Sequence, residues 1–195
     1  VFSLTNADLY QHVHSILDYM DEPFADYSAI NVYILSKETR KHATVALSGD
    51  GADELLGGYN KHAAFHRIIN AGWKEKGVAS LLPLWKMLPK SRNGALSNKI
   101  RQLQRFAEGM KLSSRERYWR WAGFATESES ARLLSPTTKE KLSDQEYHSF
   151  KKSLLNTLSE KESINEVLLT DTQLVLPNDM LTKVDLMSMA NSLEV

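Results

Sequence analysis

The chain has 195 residues, 42% of them hydrophobic, with 24 Lys and Arg balanced by 24 Asp and Glu and no cysteine. That length supports one ordinary domain, or a large piece of a bigger one, and no apolar run approaches the ~18 residues that cross a bilayer. Without cysteine there is no disulfide framework, no thiolate zinc site and no thiol nucleophile; nothing at the start reads as a signal peptide, so the expectation is a soluble, cytoplasmic protein.

Charge is uneven along the chain. Residues 1–60 carry 3 basic and 9 acidic groups, residues 61–121 carry 14 and 3, and residues 122–195 carry 7 and 12. The basic middle spreads its cations among apolar helical positions, with no compact basic run and no nucleic-acid motif. It reads as solvated helical surface, not as a nucleic-acid site.

In chain order, Leu9, Val13, Ile16, Leu17 and Met20 recur at helical spacing, and Thr5 with Asp8 forms a capping pair. Asp21-Glu22-Pro23 ends this helix, and Pro23 and Asp26 shape the entry to the next. Asp26 is expected to cap that second helix, over 27–41, which is apolar on more than one face. The run 43–47, Ala-Thr-Val-Ala-Leu, reads as a strand inside a parallel sheet with a functional loop at its carboxyl end. Beyond it the pattern is almost entirely helical: 59–69, a stripe from Leu96 to Met110, a helix capped by Ser114, then 127–134, 144–158 and 164–176. Pro177 is expected to stop the last of these before a final helix begins near Asn178. Residues 72–92, with Pro83 and Pro89, look least regular and are the candidate mobile loop. One parallel strand needs neighbours on both edges, so the missing strands are expected to precede residue 1.

The richest stretch is Ser48-Gly49-Asp50-Gly51-Ala52-Asp53-Glu54-Leu55-Leu56-Gly57-Gly58-Tyr59, with four glycines and three carboxylates. Glycines let backbone approach a ligand, and the amides of such a turn cradle anionic oxygens. Carboxylates beside a phosphate require a cation between them, which points to a nucleotide and Mg²⁺. The stretch is neither a P-loop nor a dinucleotide fingerprint. A structural alternative remains open, in which the turn caps the short helix that follows and Asp53 and Glu54 sit at its positive end. Lys183, Asp185 and Ser188 lie on the last helix, where Lys183 and Asp185 do not share a face. His62 and His66 have the i, i+4 spacing of zinc ligands but no third ligand, and read as a solvated face. Trp73, Trp85, Trp119 and Trp121 read as core or inter-domain contacts.

Three segments carry a resemblance: Asp21-Glu22-Pro23-Phe24-Ala25-Asp26-x-Ser28-Ala29; residues 45–59; and Leu176-Pro177-Asn178-Asp179-Met180-Leu181-Thr182-Lys183-Val184-Asp185-x-Met187-Ser188-Met189-Ala190-x-Ser192-Leu193-Glu194. In this order they resemble the synthetase domain of glutamine-hydrolysing asparagine synthetases. The resemblance implies an α/β fold of the adenine-nucleotide α-hydrolase type, of which this chain would be a mostly helical part. It implies that ATP and Mg²⁺ are used to adenylate the aspartate side-chain carboxylate, and that ammonia from glutamine then displaces AMP. On the family pattern Ser48, Gly49, Asp50 and Gly51 lie against the nucleotide. Asp50, Glu54 and Lys183 serve catalysis, and Asp53 and Glu54 lie near the metal.

The family's pyrophosphate-binding Ser-Gly-Gly-x-Asp-Ser loop, its adenine-pocket strand, its C-terminal Lys-containing segment and its Cys-dependent glutaminase domain are not found in residues 1–195. The chain is therefore expected to be a partial synthetase domain, inactive alone. Its partners would be small-molecule substrates and the rest of a parent chain, in a possible homo-oligomer. Two alternatives stay open: an amide-forming synthetase acting on another carboxylate, and a non-catalytic module that binds nucleotide or a partner.

Overall fold

The computed structural model describes every residue except 1, 2, 4, 23, 90, 92, 124 and 143. Pro23, assigned a role at the entry to the second helix, lies outside the described residues. Among the described residues there are thirteen α-helices, one π-helical segment and no β-strand. The chain divides into two compact units: Val1–Glu54 with Thr172–Val195, and Leu55–Asp171.

Helix α1 (Asn6–Leu17) begins where the capping pair demands. Asp8 N–H donates to Thr5 Oγ1, and the Asp8 carboxylate accepts the Thr5 N–H at 2.8 Å. Helix α2 (Ala29–Arg40) starts two residues later than expected. Asp26 does not cap it; its carboxylate accepts the Ser28 N–H at 2.9 Å and the Ser28 hydroxyl at 2.8 Å, closing a local turn ahead of the helix. Helices α3 (Ala52–Leu56) and α4 (Asn60–Ile69) follow the Gly-rich turn.

Most of the stretch 72–92, from residue 73 to residue 87, is helical and not an irregular loop. It forms α5 (Trp73–Ser80) and α6 (Leu82–Met87). Pro83 sits in the first turn of α6, where its missing N–H has no partner to lose. Trp85 Nε1 donates back to the Val78 carbonyl at 2.9 Å and ties the two helices together. Helices α7 (Ala95–Gly109), α8 (Ser114–Ala122), α9 (Glu127–Leu133), α10 (Pro136–Lys141), α11 (Asp144–Leu154) and α12 (Ile164–Val175) complete the helical series before Pro177. The α8 cap is Ser113, one residue before the expected Ser114.

Pro177 does not stop the chain. A π-helical segment, Leu176–Leu181, carries it from α12 into α13 (Thr182–Met189). A proline in a helix strands a carbonyl one turn back, and the wider π turn gives its ring room. Side chains bond two carbonyls in and beside the segment: Asn178 Nδ2 donates to Leu174 O at 2.8 Å, and Thr182 Oγ1 donates to Pro177 O at 2.7 Å.

The strand expected at 43–47 is also absent. Val45 makes a single parallel bridge to Glu194, through Ala46 N–H to Glu194 O at 2.8 Å and Glu194 N–H to Thr44 O at 3.0 Å. One bridge is not a ladder, and Leu47 is 99% exposed. β-Propensity and apolar content do not make a strand where partner backbone is lacking.

In the first unit Ile16, Ala29 and Met187 form the core, flanked by Met20, Phe24, Ile30, Val32, Tyr33 and Leu186. In the second, Phe65 and Tyr118 are fully buried, and Trp121 meets Phe65 edge-on at 4.8 Å between centroids. Trp73, in contrast, is largely exposed and is no core residue. Gly109 closes α7 directly under the Trp121 indole: a Cβ there would stand 2.9 Å from Trp121 Cε2. Ala in place of a helical Gly gains ~1 kcal/mol of propensity, whereas overpacking a fixed ring costs ~1–3 kcal/mol. Gly109→Ala is therefore expected to lower stability by up to about 2 kcal/mol in urea denaturation; higher stability would mean that the indole yields.

Candidate functional site

The Gly-rich turn is built on backbone geometry that its glycines permit. Gly51 is buried with φ +93°, and a Cβ added there would lie 3.4 Å from Leu176 Cδ1, so the turn seats directly on the π-helical segment. Gly49 has open space where a side chain would be, and Ser48 and Asp50 beside it are exposed. The turn thus presents backbone, a hydroxyl and a carboxylate to solvent, a set suited to anionic oxygens and a bridging cation.

On α3 the two remaining carboxylates part company. Asp53 is exposed, whereas Glu54 is 1% exposed and engaged within the fold. Adjacent helical positions point ~100° apart, so the two do not face one ion together. No trio of His, Asp or Glu is grouped to hold a metal among the described residues. Mg²⁺ asks for less, since one or two carboxylates and substrate phosphates complete its shell. The exposed Asp50 and Asp53 beside the open Gly49 fit that requirement.

Lys183 lies apart from these carboxylates in its bonding. Its Nζ is 2.7 Å from Asp26 Oδ2, with the Lys183 side chain 8% and the Asp26 side chain 16% exposed. Met180 Sδ stands 3.6 Å from the same nitrogen. Burial alone pushes the Asp26 carboxyl up, but the Lys183 ammonium and the two Ser28 bonds outweigh it and hold the group below the usual carboxylate range. Three separated segments therefore meet within one unit. Asp26 binds Lys183, Gly51 rests on Leu176, and Val45 bridges Glu194.

The second unit holds a charged cluster that the sequence reading missed. Asp171 is fully buried on α12. Its Oδ1 accepts Lys61 Nζ at 2.8 Å and the Tyr118 hydroxyl; its Oδ2 lies 2.6 Å from His62 Nε2, which is the donor because a carboxylate only accepts. His62 is 2% exposed, so it is not on a solvated face as expected, and its Nδ1 is buried with no hydrogen-bond partner among the described residues. His66 is exposed. Burial pushes Asp171 up, yet the bonds and charges of His62, Lys61 and Tyr118 prevail and lower it. Burial first, then the Asp171 charge, drives the Tyr118 hydroxyl well above its ordinary value. The available signal was spacing: Asp171 falls with Val167, Thr170 and Leu174 on one helical stripe, a carboxylate among inward-facing positions.

The matches to known proteins agree with this convergence. The model of the asparagine synthase family matches residues 1–195. Asparagine synthetase [glutamine-hydrolyzing] 1 of Bacillus subtilis is 34% identical over 186 residues, covering 92% of this chain and 27% of that protein. A putative asparagine synthetase [glutamine-hydrolyzing] 2 of Methanocaldococcus jannaschii is 52% identical over 48 residues, 25% of this chain and 9% of its own length. A putative asparagine synthetase of Mycobacterium bovis is 52% identical over 44 residues, 23% of this chain and 7% of its own length. No solved structure matches significantly. The whole-chain family match makes the assignment: this chain belongs to the asparagine synthase family. It spans about a quarter of the B. subtilis relative's length.

The buried carboxylate gives a direct test. Folding lowers the Asp171 pKa, so its charge contributes fully above the unfolded value of about 4 and the contribution is lost as pH falls through the lowered folded value. Asp171→Asn strands the Lys61 charge and is expected to cost ~3–5 kcal/mol at pH 7. Urea denaturation at pH 7 and across pH 5 to 2 measures both effects: the variant should start lower and lose less on acidification. Parallel acid profiles would assign the acid loss to other groups.

Proposed function

We propose that this chain is part of the synthetase domain of an ATP-dependent, glutamine-hydrolysing asparagine synthetase. The reading rests above all on the meeting of three signature segments in one unit, with the open Gly49 turn among them. In this reading Ser48, Gly49 and Gly51 offer backbone and hydroxyl donors to the nucleotide phosphates. Asp50 stands beside them, where adenylation of the aspartate side-chain carboxylate would occur. Asp53, with Glu54 buried behind it, completes the acidic side of the site. Mg²⁺, when bound, supplies charge neutralisation between phosphates and carboxylates. Lys183 supplies a fixed positive charge for an anionic oxygen.

The reaction asks of the protein chiefly positioning and charge neutralisation. AMP replaces a poor leaving group on the carboxylate, and ammonia then displaces it. The chain contains no cysteine, so a thiol-dependent release of ammonia from glutamine falls to residues outside these 195. The segment works, in this reading, as one portion of a longer cytoplasmic enzyme and does not turn over alone.

Pyrophosphate release by the complete gene product, with ATP, Mg²⁺ and ammonia, tests the proposal. Release that requires aspartate is expected, with Asp50→Asn lowering it by about 10²-fold, and none from the 195-residue chain by itself. Release driven by a different carboxylate would reassign the substrate. Binding of Mg-ATP without release for any carboxylate would favour a non-catalytic module.

A further inference from the structure

Asp26 is not a helix cap but one half of a long-range ion pair. It reaches across 157 positions of sequence to the Lys183 ammonium, and both of its oxygens are spoken for: Oδ1 by the Ser28 N–H, and Oδ2 by the Ser28 hydroxyl and Lys183. The carboxylate is thus fixed before the lysine arrives. A nearly buried ion pair gives little net stability compared with an apolar pair of similar volume, because both ions must be desolvated. What such a pair does supply is a cation held in one place. Among the described residues the Lys183 ammonium has two acceptors, Asp26 Oδ2 and Met180 Sδ, and an ammonium carries three N–H donors. One donor is left for a ligand.

We propose that Asp26 is a positioning residue that holds the Lys183 ammonium so that its remaining N–H meets an anionic oxygen of the bound substrates, a carboxylate or a phosphate. The inference rests on the adenylating reading given above. Gly51 lies against Leu176, five residues after Asp171 and seven before Lys183, so the phosphate-cradling turn and the helical stretch bearing Lys183 belong to the same packed unit. The Ser28 bonds make Asp26 the rigid partner and Lys183 the aimed one. In the absence of the Asp26 charge, the four-carbon stem of Lys183 frees its head to sample other directions.

The experiment uses the complete gene product with Asp26→Asn, Asp26→Glu and the charge-swapped pair Asp26→Lys with Lys183→Asp. Asp26→Asn is expected to raise the KM of one substrate on the order of 10- to 100-fold, while the folded far-ultraviolet signal is kept. A rise for ATP identifies phosphate as the ligand, and a rise for the amino acid identifies a carboxylate. Asp26→Glu retains the charge and should recover part of the loss; it also serves as the test if Asp26→Asn does not fold. The swapped pair should regain thermal stability relative to either single change yet remain inactive. Kinetics of Asp26→Asn equal to the parent, or turnover restored by the swap, would overturn the proposal by making the pair purely structural. Calorimetric titration with inorganic pyrophosphate and with aspartate reads the same interaction without turnover. A parent enzyme that binds these ligands but releases no pyrophosphate removes the adenylating reading alone. Equal binding with and without the Asp26 charge removes the positioning role.

Discussion

An ionised carboxylate without access to water costs several kcal/mol unless the fold answers it with donors, and Asp171 imposes that condition on the second unit. Three side chains answer: Lys61 and His62 from α4, and Tyr118 from α8. None of the three helices can rotate or slide without breaking at least one of these bonds. The cluster therefore specifies one register for α4, α8 and α12, where apolar packing alone would tolerate several. Helix α4 begins directly after the Gly-rich stretch. Gly57, with φ +75°, sits 3.7 Å by its would-be Cβ from a Leu168 methyl, so the downstream end of that stretch is anchored beside the same cluster.

Burial sorts the acidic groups by task. Asp171 is saturated with partners and closed to solvent, which suits a fixed structural charge. Asp26 is saturated too, but its partner Lys183 keeps some exposure and a donor in reserve. Asp50 and Asp53 stand in solvent beside backbone left open at Gly49. Four carboxylates of one chemical type thus range from scaffold to candidate ligand. A reading by residue type alone cannot rank them.

Local rules were legible in the sequence where neighbours decide the outcome. The Thr5–Asp8 capping pair is complete within four residues, and the structure contains it unchanged. The helices read over 96–110, after Ser114 and over 127–134, 144–158 and 164–176 are present to within a few residues, whereas α10 was not read from the sequence. Other features depend on distant partners and were not legible. The apolar run 43–47 has strand composition, but pairing is a property of two segments, and among the described residues its one bridge is to Glu194. His62 reads as exposed beside His66 until Asp171, more than a hundred positions away, draws it inward. Pro177 reads as a terminator because sequence rules assume an α-helix, and the chain changes helix type there instead. The site segments were legible as motifs, whereas the Asp26–Lys183 contact was not, since nothing in either motif names its partner.

That change of helix type also sets an angle. Each residue of an α-helix turns the chain by ~100°, and a π turn holds an additional residue per turn. The segment Leu176–Leu181 therefore works as a phase shifter, setting everything after it back on the helical wheel relative to a continuous α-helix. Lys183 faces Asp26 because of that offset as much as because of its place in the sequence. Drawn into an ordinary α-helix at unchanged length, the segment would swing the ammonium by roughly a quarter turn to another face, whereas removal of one residue together with the π turn would restore its direction. Helix type and length in this short stretch are thus coupled, and a homologous chain of equal length with an unbroken α-helix here would need a cation at a different position to serve the same carboxylate.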